Sequence, residues 1–141
     1  MDIKGYSFPE ELYYDPDHFW VRVEGDELVM GMDDFAQKLA GEIVFVQLPD
    51  EGKALKKGKK LAKVESGKWL GKIKSPVNGE LIAVNEELEL SPELINQDCY
   101  GAGWMYRLKA ADLSELNDLI HGVDSLESWV DEEIAKHAEN A

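Results

Sequence analysis

A single cysteine stands among the 141 residues, so no disulfide can close within the chain, a usage that fits a reducing compartment. The three histidines, at positions 18, 121 and 137, share no metal-ligand spacing, and one thiol cannot complete a zinc site. The phosphate-cradling pattern Gly-x-x-x-x-Gly-Lys-Ser/Thr is missing, because Gly52-Lys53 and Gly58-Lys59 fall in a lysine-rich turn. No hydroxyl or thiol has an evident base beside it, so the sequence offers no nucleophilic catalytic site. Basic residues are scarce, 15 against 29 acidic ones, and a formal charge of −14 is repelled by phosphate backbones and anionic lipid heads. No nucleic acid and no membrane partner is therefore expected. No apolar run approaches the ~20 residues that span a bilayer, and Met1-Asp2-Ile3-Lys4-Gly5 lacks the apolar stretch of an export signal. The expectation is a cytoplasmic chain, neither exported nor anchored, that is not an enzyme but something enzymes act upon.

What is present is enough apolar residue, 44%, for one domain with a core over residues 1–141. Positions 19–23 and 28–30 flank Glu24-Gly25-Asp26-Glu27 and read as a hairpin. Asp33 is placed to cap a short helix that Gly41 ends, with Phe35 and Leu39 facing inward. Positions 43–46 form a continuous apolar run that reads as a strand covered on both faces. Positions 61–66 and 69–73 are the arms of a second hairpin, positions 79–84 are a further strand, and Asn78-Gly79 signals a two-residue turn before it. Short strands with turns about every eight to twelve residues argue for a mainly β flattened barrel or sandwich of antiparallel strands. Near the end, Asp124 and Glu127 read as a capping box, after which Leu126, Trp129, Val130 and Ile134 share one helical face. Its opposite face is acidic, and Trp104 and Trp129 read as core.

Two features stand apart. The 50–60 connection carries lysines 53, 56, 57, 59 and 60, a third of the basic side chains; it is either a solvated loop or a docking surface for an acidic partner. Lys68 sits between the second hairpin's arms with Gly67 beside it. Glycine tolerates a positive φ, so the chain can reverse there and throw the lysine outward. Turn chemistry alone makes this a solvated ammonium. An exposed amine at a tip is also where one lysine would be offered for covalent loading.

The surrounding residues bear on that choice. Glu65-Ser66-x-Lys68, then Ser75-Pro76-Val77-x-Gly79-Glu80 and Val84-Asn85-Glu86, closely resemble the lipoyl-lysine hairpin of the glycine cleavage system H-protein family. Ordered similarities run from about position 13 to 108: His18-x-Trp20-Val21-Arg22, Gly31-Met32-x-Asp34-Phe35-Ala36-Gln37, the 41–49 segment, Ser91-Pro92-Glu93-Leu94-Ile95-Asn96 and Tyr100-Gly101-x-Gly103-Trp104. The resemblance implies a lipoyl/biotinyl-domain-like barrel over about 13–108, a short internal helix and a C-terminal helical cap over 111–141. It implies lipoate joined as an amide to Lys68 by a lipoate ligase or lipoyl transferase, with Glu65, Ser66, Gly67 and Trp69 as the tip around it. The implied partners are glycine decarboxylase, aminomethyltransferase and dihydrolipoyl dehydrogenase, between which the arm carries an aminomethyl group. Tethering holds such a cargo at an effective concentration of order mM at each docked site.

The tip departs from the family's usual residues. Gly67 replaces a valine, Trp69, Leu70, Gly71 and Lys72 replace two small residues, a serine and an aspartate, Phe19 replaces a glutamate and Cys99 a proline. The Gly-Lys-Trp tip also resembles H-like lipoate-binding proteins of sulfur oxidation, whose implied partner is a heterodisulfide-reductase-like complex. A third reading is a structural or regulatory relative with Lys68 unmodified. Biotin carriers usually show Met-Lys-Met, and Gly67 and Trp69 stand in its place. Cys99 reads as a loop thiol, with a mixed disulfide to a lipoyl dithiol as the sharper alternative.

Overall fold

The computed structural model describes residues 1–139, with side chains described as far as 136; the last two positions of the 111–141 cap lie outside the described residues. In chain order the elements are β1 (Asp2–Ile3), β2 (Tyr6–Ser7), β3 (Tyr13–Asp15), β4 (Phe19–Glu24), β5 (Glu27–Met32), α1 (Asp34–Ala40), β6 (Ile43–Val46), β7 (Ala54–Leu55), β8 (Lys60–Ser66), β9 (Leu70–Lys74), β10 (Gly79–Val84), α2 (Glu87–Leu90), α3 (Leu94–Gln97), β11 (Tyr106–Ala110), a 3₁₀ turn (Leu113–Asp118) and α4 (Val123–Glu139). Every strand pairing is antiparallel. A six-stranded sheet runs β3-β4-β5-β11-β10-β7, a three-stranded sheet runs β6-β8-β9, and β1-β2 is a small hairpin. The fold is the expected mainly β sandwich with added helices.

Alternation along the strands builds two cores, because successive side chains leave a strand on opposite faces. In β4, Phe19 and Val21 enter one apolar cluster while Trp20 enters the other; in β5, Leu28 and Met30 oppose Val29 in the same way. The first cluster lies between the two larger sheets, where Leu61, Val64 and Ile73 of the three-stranded sheet join Leu81 and Leu108 of the six-stranded one. The second covers the other face, where Tyr14, Trp20 and Val29 meet Phe8, Phe35 and the α4 residues Leu126 and Val130. Trp104, Trp129 and Ile134 pack against it half-buried, so the apolar stripe of α4 faces inward as its spacing requires.

Several expectations change. The Gly25-Asp26 hairpin forms, with Gly25 at φ 68° and Glu24 opposite Glu27. The 43–46 strand is covered on one side only: Ile43 and Val46 are buried, Val44 and Phe45 exposed. An irregularity in its pairing with β8 between Ile43 and Phe45 lets two residues three apart face the same way. Asn78-Gly79 is not a hairpin turn, because β9 and β10 lie in different sheets. Helix α4 starts at Val123, so Asp124 sits in its first turn, where its charge meets the helix dipole, rather than at the cap. Leu39 is 41% exposed, since α1 turns Phe35, Ala36 and Ala40 inward and leaves Leu39 at the rim.

Truncating Leu126, which has no solvent exposure, removes the α4 anchor in the second cluster. Leu126→Ala is expected to lower unfolding stability by about 2–5 kcal/mol in urea denaturation. A loss below about 1 kcal/mol would show that α4 rests on this sheet without being held by it.

Candidate functional site

The β8-β9 hairpin is anchored by its inner residues and bare at its tip. Val64 and Ile73 are fully buried, whereas Lys68 is exposed. Ser66 donates its N–H to the Trp69 carbonyl at 2.8 Å, which closes the reversal, and the Lys68 N–H points to Ser66 Oγ at 3.4 Å. Glu65 sits opposite Leu70 at the top of the ladder, 3.7 Å from the Lys63 ammonium. Gly67 does not take the positive φ expected of it, and a Cβ there would meet nothing within 4 Å. The Ser66–Trp69 bond closes the reversal without a left-handed residue.

The Lys68 side chain lies across the corner between α1 and β6. Asp33 begins α1 by accepting the Ala36 N–H at 2.8 Å, and Gly41 ends it at φ 78°. A Cβ on Gly41 would stand 3.3 Å from Lys68 Cε, so the corner is a shelf on which the methylene chain rests. Asn96 fixes that corner: its Nδ2 donates to the Gly41 carbonyl at 2.8 Å and its Oδ1 accepts the Ile43 N–H at 2.9 Å. An open depression of about 300 Å³ continues past Lys68 over Ala40, Glu42 and Val44. Among the described residues the Lys68 ammonium has no hydrogen-bond or ion-pair partner. These residues fit a covalently attached acyl arm, since the nitrogen is accessible, the stem is supported and the backbone beneath is rigid.

Trp69 lies back along β9. A Cβ on Gly71 would come within 2.1 Å of its ring, so only glycine lets the indole lie there. The ring borders an open groove of about 250 Å³ with Pro16, His18, Ala36, Leu39 and Glu133. His18, buried at φ 71°, is its most constrained member. Its Nδ1 lies 2.9 Å from Asp33 Oδ2 and its Nε2 2.8 Å from Glu133 Oε1, with its ring stacked on Trp129. Burial opposes the imidazolium, yet the Asp33 and Glu133 carboxylates outweigh it and hold the His18 pKa above its ordinary value. Asp33 therefore caps α1 while pairing with His18, and Glu133 ties α4 to the same imidazole. Sequence reasoning placed His18 in a family pattern without assigning it this role; its two partners are 15 and 115 residues away, so spacing gave no signal.

Cys99 is buried, its carbonyl accepts the Trp20 indole N–H at 2.8 Å, and burial followed by Asp34 and Asp33 pushes its thiol up to about 12. The lysine loop is partly engaged: Lys57 pairs with Asp118, and Lys53 donates to the Leu61 carbonyl at 3.2 Å. Among the described residues no helix is long and apolar enough to cross a membrane.

Comparison with known proteins then places this geometry. The family model described as Glycine cleavage H-protein matches residues 12–132. A glycine cleavage system H protein of Aeromonas hydrophila is 49% identical over 126 residues, covering 89% of this chain and 97% of its own. One from Thermus thermophilus is 44% identical over 114 residues, covering 81% and 89%. The crystal structure of a glycine cleavage system H protein from Mycobacterium marinum superposes with TM-score 0.70 at 30% identity, covering 79% of this chain and 97% of that one. The sulfur-carrying alternative finds no support among these relatives.

Two outcomes follow from the site. Folding raises the His18 pKa, so its stabilisation is full below the unfolded imidazole value of about 6.5 and fades as pH climbs through the higher folded value. The difference in thermal midpoint between wild type and His18→Asn is therefore expected to be largest near about pH 6 and to shrink by about pH 9; a difference independent of pH would contradict the ion-pair account. Gly71→Ala is expected to displace the Trp69 ring and shift tryptophan emission to the red, with Gly67→Ala leaving emission unchanged and stability within about 0.5 kcal/mol. Unaltered emission in Gly71→Ala would contradict the packing of Trp69 on Gly71.

Proposed function

The chain belongs to the glycine cleavage H-protein family, and on that premise we propose that it is a non-catalytic lipoyl carrier loaded on Lys68. The observation that carries this reading is the exposed Lys68 ammonium, without a partner among the described residues, at the end of a core-anchored hairpin with its stem resting on the Gly41 shelf. Residues 13–108 form the presenting barrel and the described part of the 111–141 segment its helical cap, working as one domain. A lipoate ligase or lipoyl transferase joins lipoate to the amine, which removes the positive charge and leaves a long tether. The bound dithiolane supplies the group-carrying chemistry when attached. The chain's own residues do the rest. Ser66 and Trp69 hold the tip closed, and Asn96 and Gly41 support the stem. The partners are glycine decarboxylase, aminomethyltransferase and dihydrolipoyl dehydrogenase, the cargo is an aminomethyl group, and the compartment is the cytoplasm. Tethering keeps the cargo at order-mM effective concentration for each partner.

The test is a reconstituted glycine cleavage reaction with the three purified enzymes, glycine, tetrahydrofolate, NAD, and this chain after treatment with lipoate and a ligase. Turnover is expected to require the treated chain and to fall to background with Lys68→Arg, whose unfolding stability stays within about 0.5 kcal/mol of wild type. Equal turnover from Lys68→Arg would assign loading to another residue; no turnover from a chain shown to carry lipoate would assign it to a different cargo.

A further inference from the structure

Nine of the fifteen basic residues fall between positions 53 and 74, a stretch holding one carboxylate, Glu65, whereas the rest of the chain carries 28 acidic residues and six basic ones. Strand pairing sharpens this segregation. The register of β8 and β9 sets Lys60 opposite Lys74 and Lys63 opposite Lys72, with Glu65 and Leu70 as the next pair toward the tip. Like charges facing each other across strands oppose folding. The other like-charged pair in the sheets is compensated: Glu24 and Glu27 both accept from Arg107 Nη1 at 3.1 Å. The lysine ladder has no such bridge. Among the described residues Lys60, Lys72 and Lys74 make no ion pair; Lys63 reaches Glu65 at 3.7 Å, and Asp15 is the carboxyl group that senses Lys74. A chain with acidic residues to spare keeps four cations on one face where they repel one another.

The ladder also points somewhere. At ~3.3 Å per residue, Lys72 and Lys74 lie ~7 and ~13 Å along β9 from Leu70, the strand residue at the tip end. Between ladder and tip stands Leu70, 57% exposed, and on the far side of β8 from it β6 exposes Val44 and Phe45. An open groove against β9 is lined by Asp17, Phe19, Trp69, Leu70, Lys72 and Lys74. Apolar residues near the tip with a cationic border behind them have the make-up of a protein interface.

We infer that the outer face of β8-β9 is a docking surface for a partner protein that presents a row of carboxylates beside the entrance to its active site. The partner grips the ladder and Leu70, and Lys68 enters that site. The entry of Lys68 rests on the carrier reading; the charge complementarity does not. A long polyanion is a poorer occupant, because it would meet the acidic remainder of the chain on either side of a patch only ~20 Å long. An acidic protein face of limited width meets the patch alone.

The experiment titrates the full chain with a dye-labelled glutamate-rich synthetic peptide, alongside Lys60→Gln/Lys63→Gln/Lys72→Gln/Lys74→Gln and a control, Lys4→Gln/Lys109→Gln. Affinity for the peptide is expected to fall at least about tenfold between ~0.05 and ~0.3 M salt, and at least about tenfold in the four-site variant, with the control unchanged. The four-site variant is also expected to melt no lower than wild type, because it sheds like-charge repulsion. No peptide binding, an equal loss in the control, binding of duplex DNA or phosphatidylserine vesicles as tight as that of the peptide, or a lower melting temperature of the four-site variant would each overturn the inference. Intact-mass measurement of ligase-treated wild type separates the two readings: a chain that binds the peptide and accepts no lipoate defeats the carrier and keeps the surface.

Discussion

The antiparallel pairing of β8 with β9, pinned by Val64, Leu61 and Ile73 in the main core, is the constraint on which the rest of the structure depends. A carrier lysine needs two properties that ordinarily conflict, freedom of the side chain and fixity of the backbone. Burying the inner face of a hairpin while leaving its last pair in solvent gives both. The fixity comes from the apolar core, at roughly 25 cal/mol per Å² of buried apolar surface, and the freedom from a Lys68 ammonium that makes no ion pair among the described residues.

The elements around the hairpin serve that division. Helix α1, capped by Asp33 and ended by Gly41, sets the shelf under Lys68, and Asn96 binds the shelf to β6. The same Asp33 meets His18, and His18 meets Glu133 of α4, so the last helix is tied by charge as well as by Leu126 and Val130 to the elements that line the groove beside Trp69. The tip residues fit this scaffold: Trp69 is accommodated by Gly71, and Lys72 continues a row of cations rather than disturbing a contact.

Much of this was legible in the residues. The Gly25-Asp26 turn gave the hairpin of β4 and β5, apolar alternation beside Lys68 gave the arms β8 and β9, and Asp33 and Gly41 bounded α1. The spacing of Leu126 and Val130 gave the inward face of α4. What escaped has a common physical cause, for it depended on which strands meet in space. The bulge that turns Val44 and Phe45 outward appears only in the pairing of β6 with β8. Asn78-Gly79 has the composition of a hairpin turn yet bridges two sheets. His18 gained its partners from the cap of α1 and from α4, and the lysine ladder exists only in the register, which shifts between Lys60 and Ala62 and so brings Lys60 opposite Lys74.

The central claim is that Lys68, and no other lysine, is the one the chain offers for loading. Peptide mapping by tandem mass spectrometry of the chain purified from lipoate-replete cells tests it most directly. The account predicts a lipoyl group on the peptide containing Lys68 and on none of the ladder lysines a few residues away; a modification found at any other lysine, or none on a correctly folded chain, would contradict it.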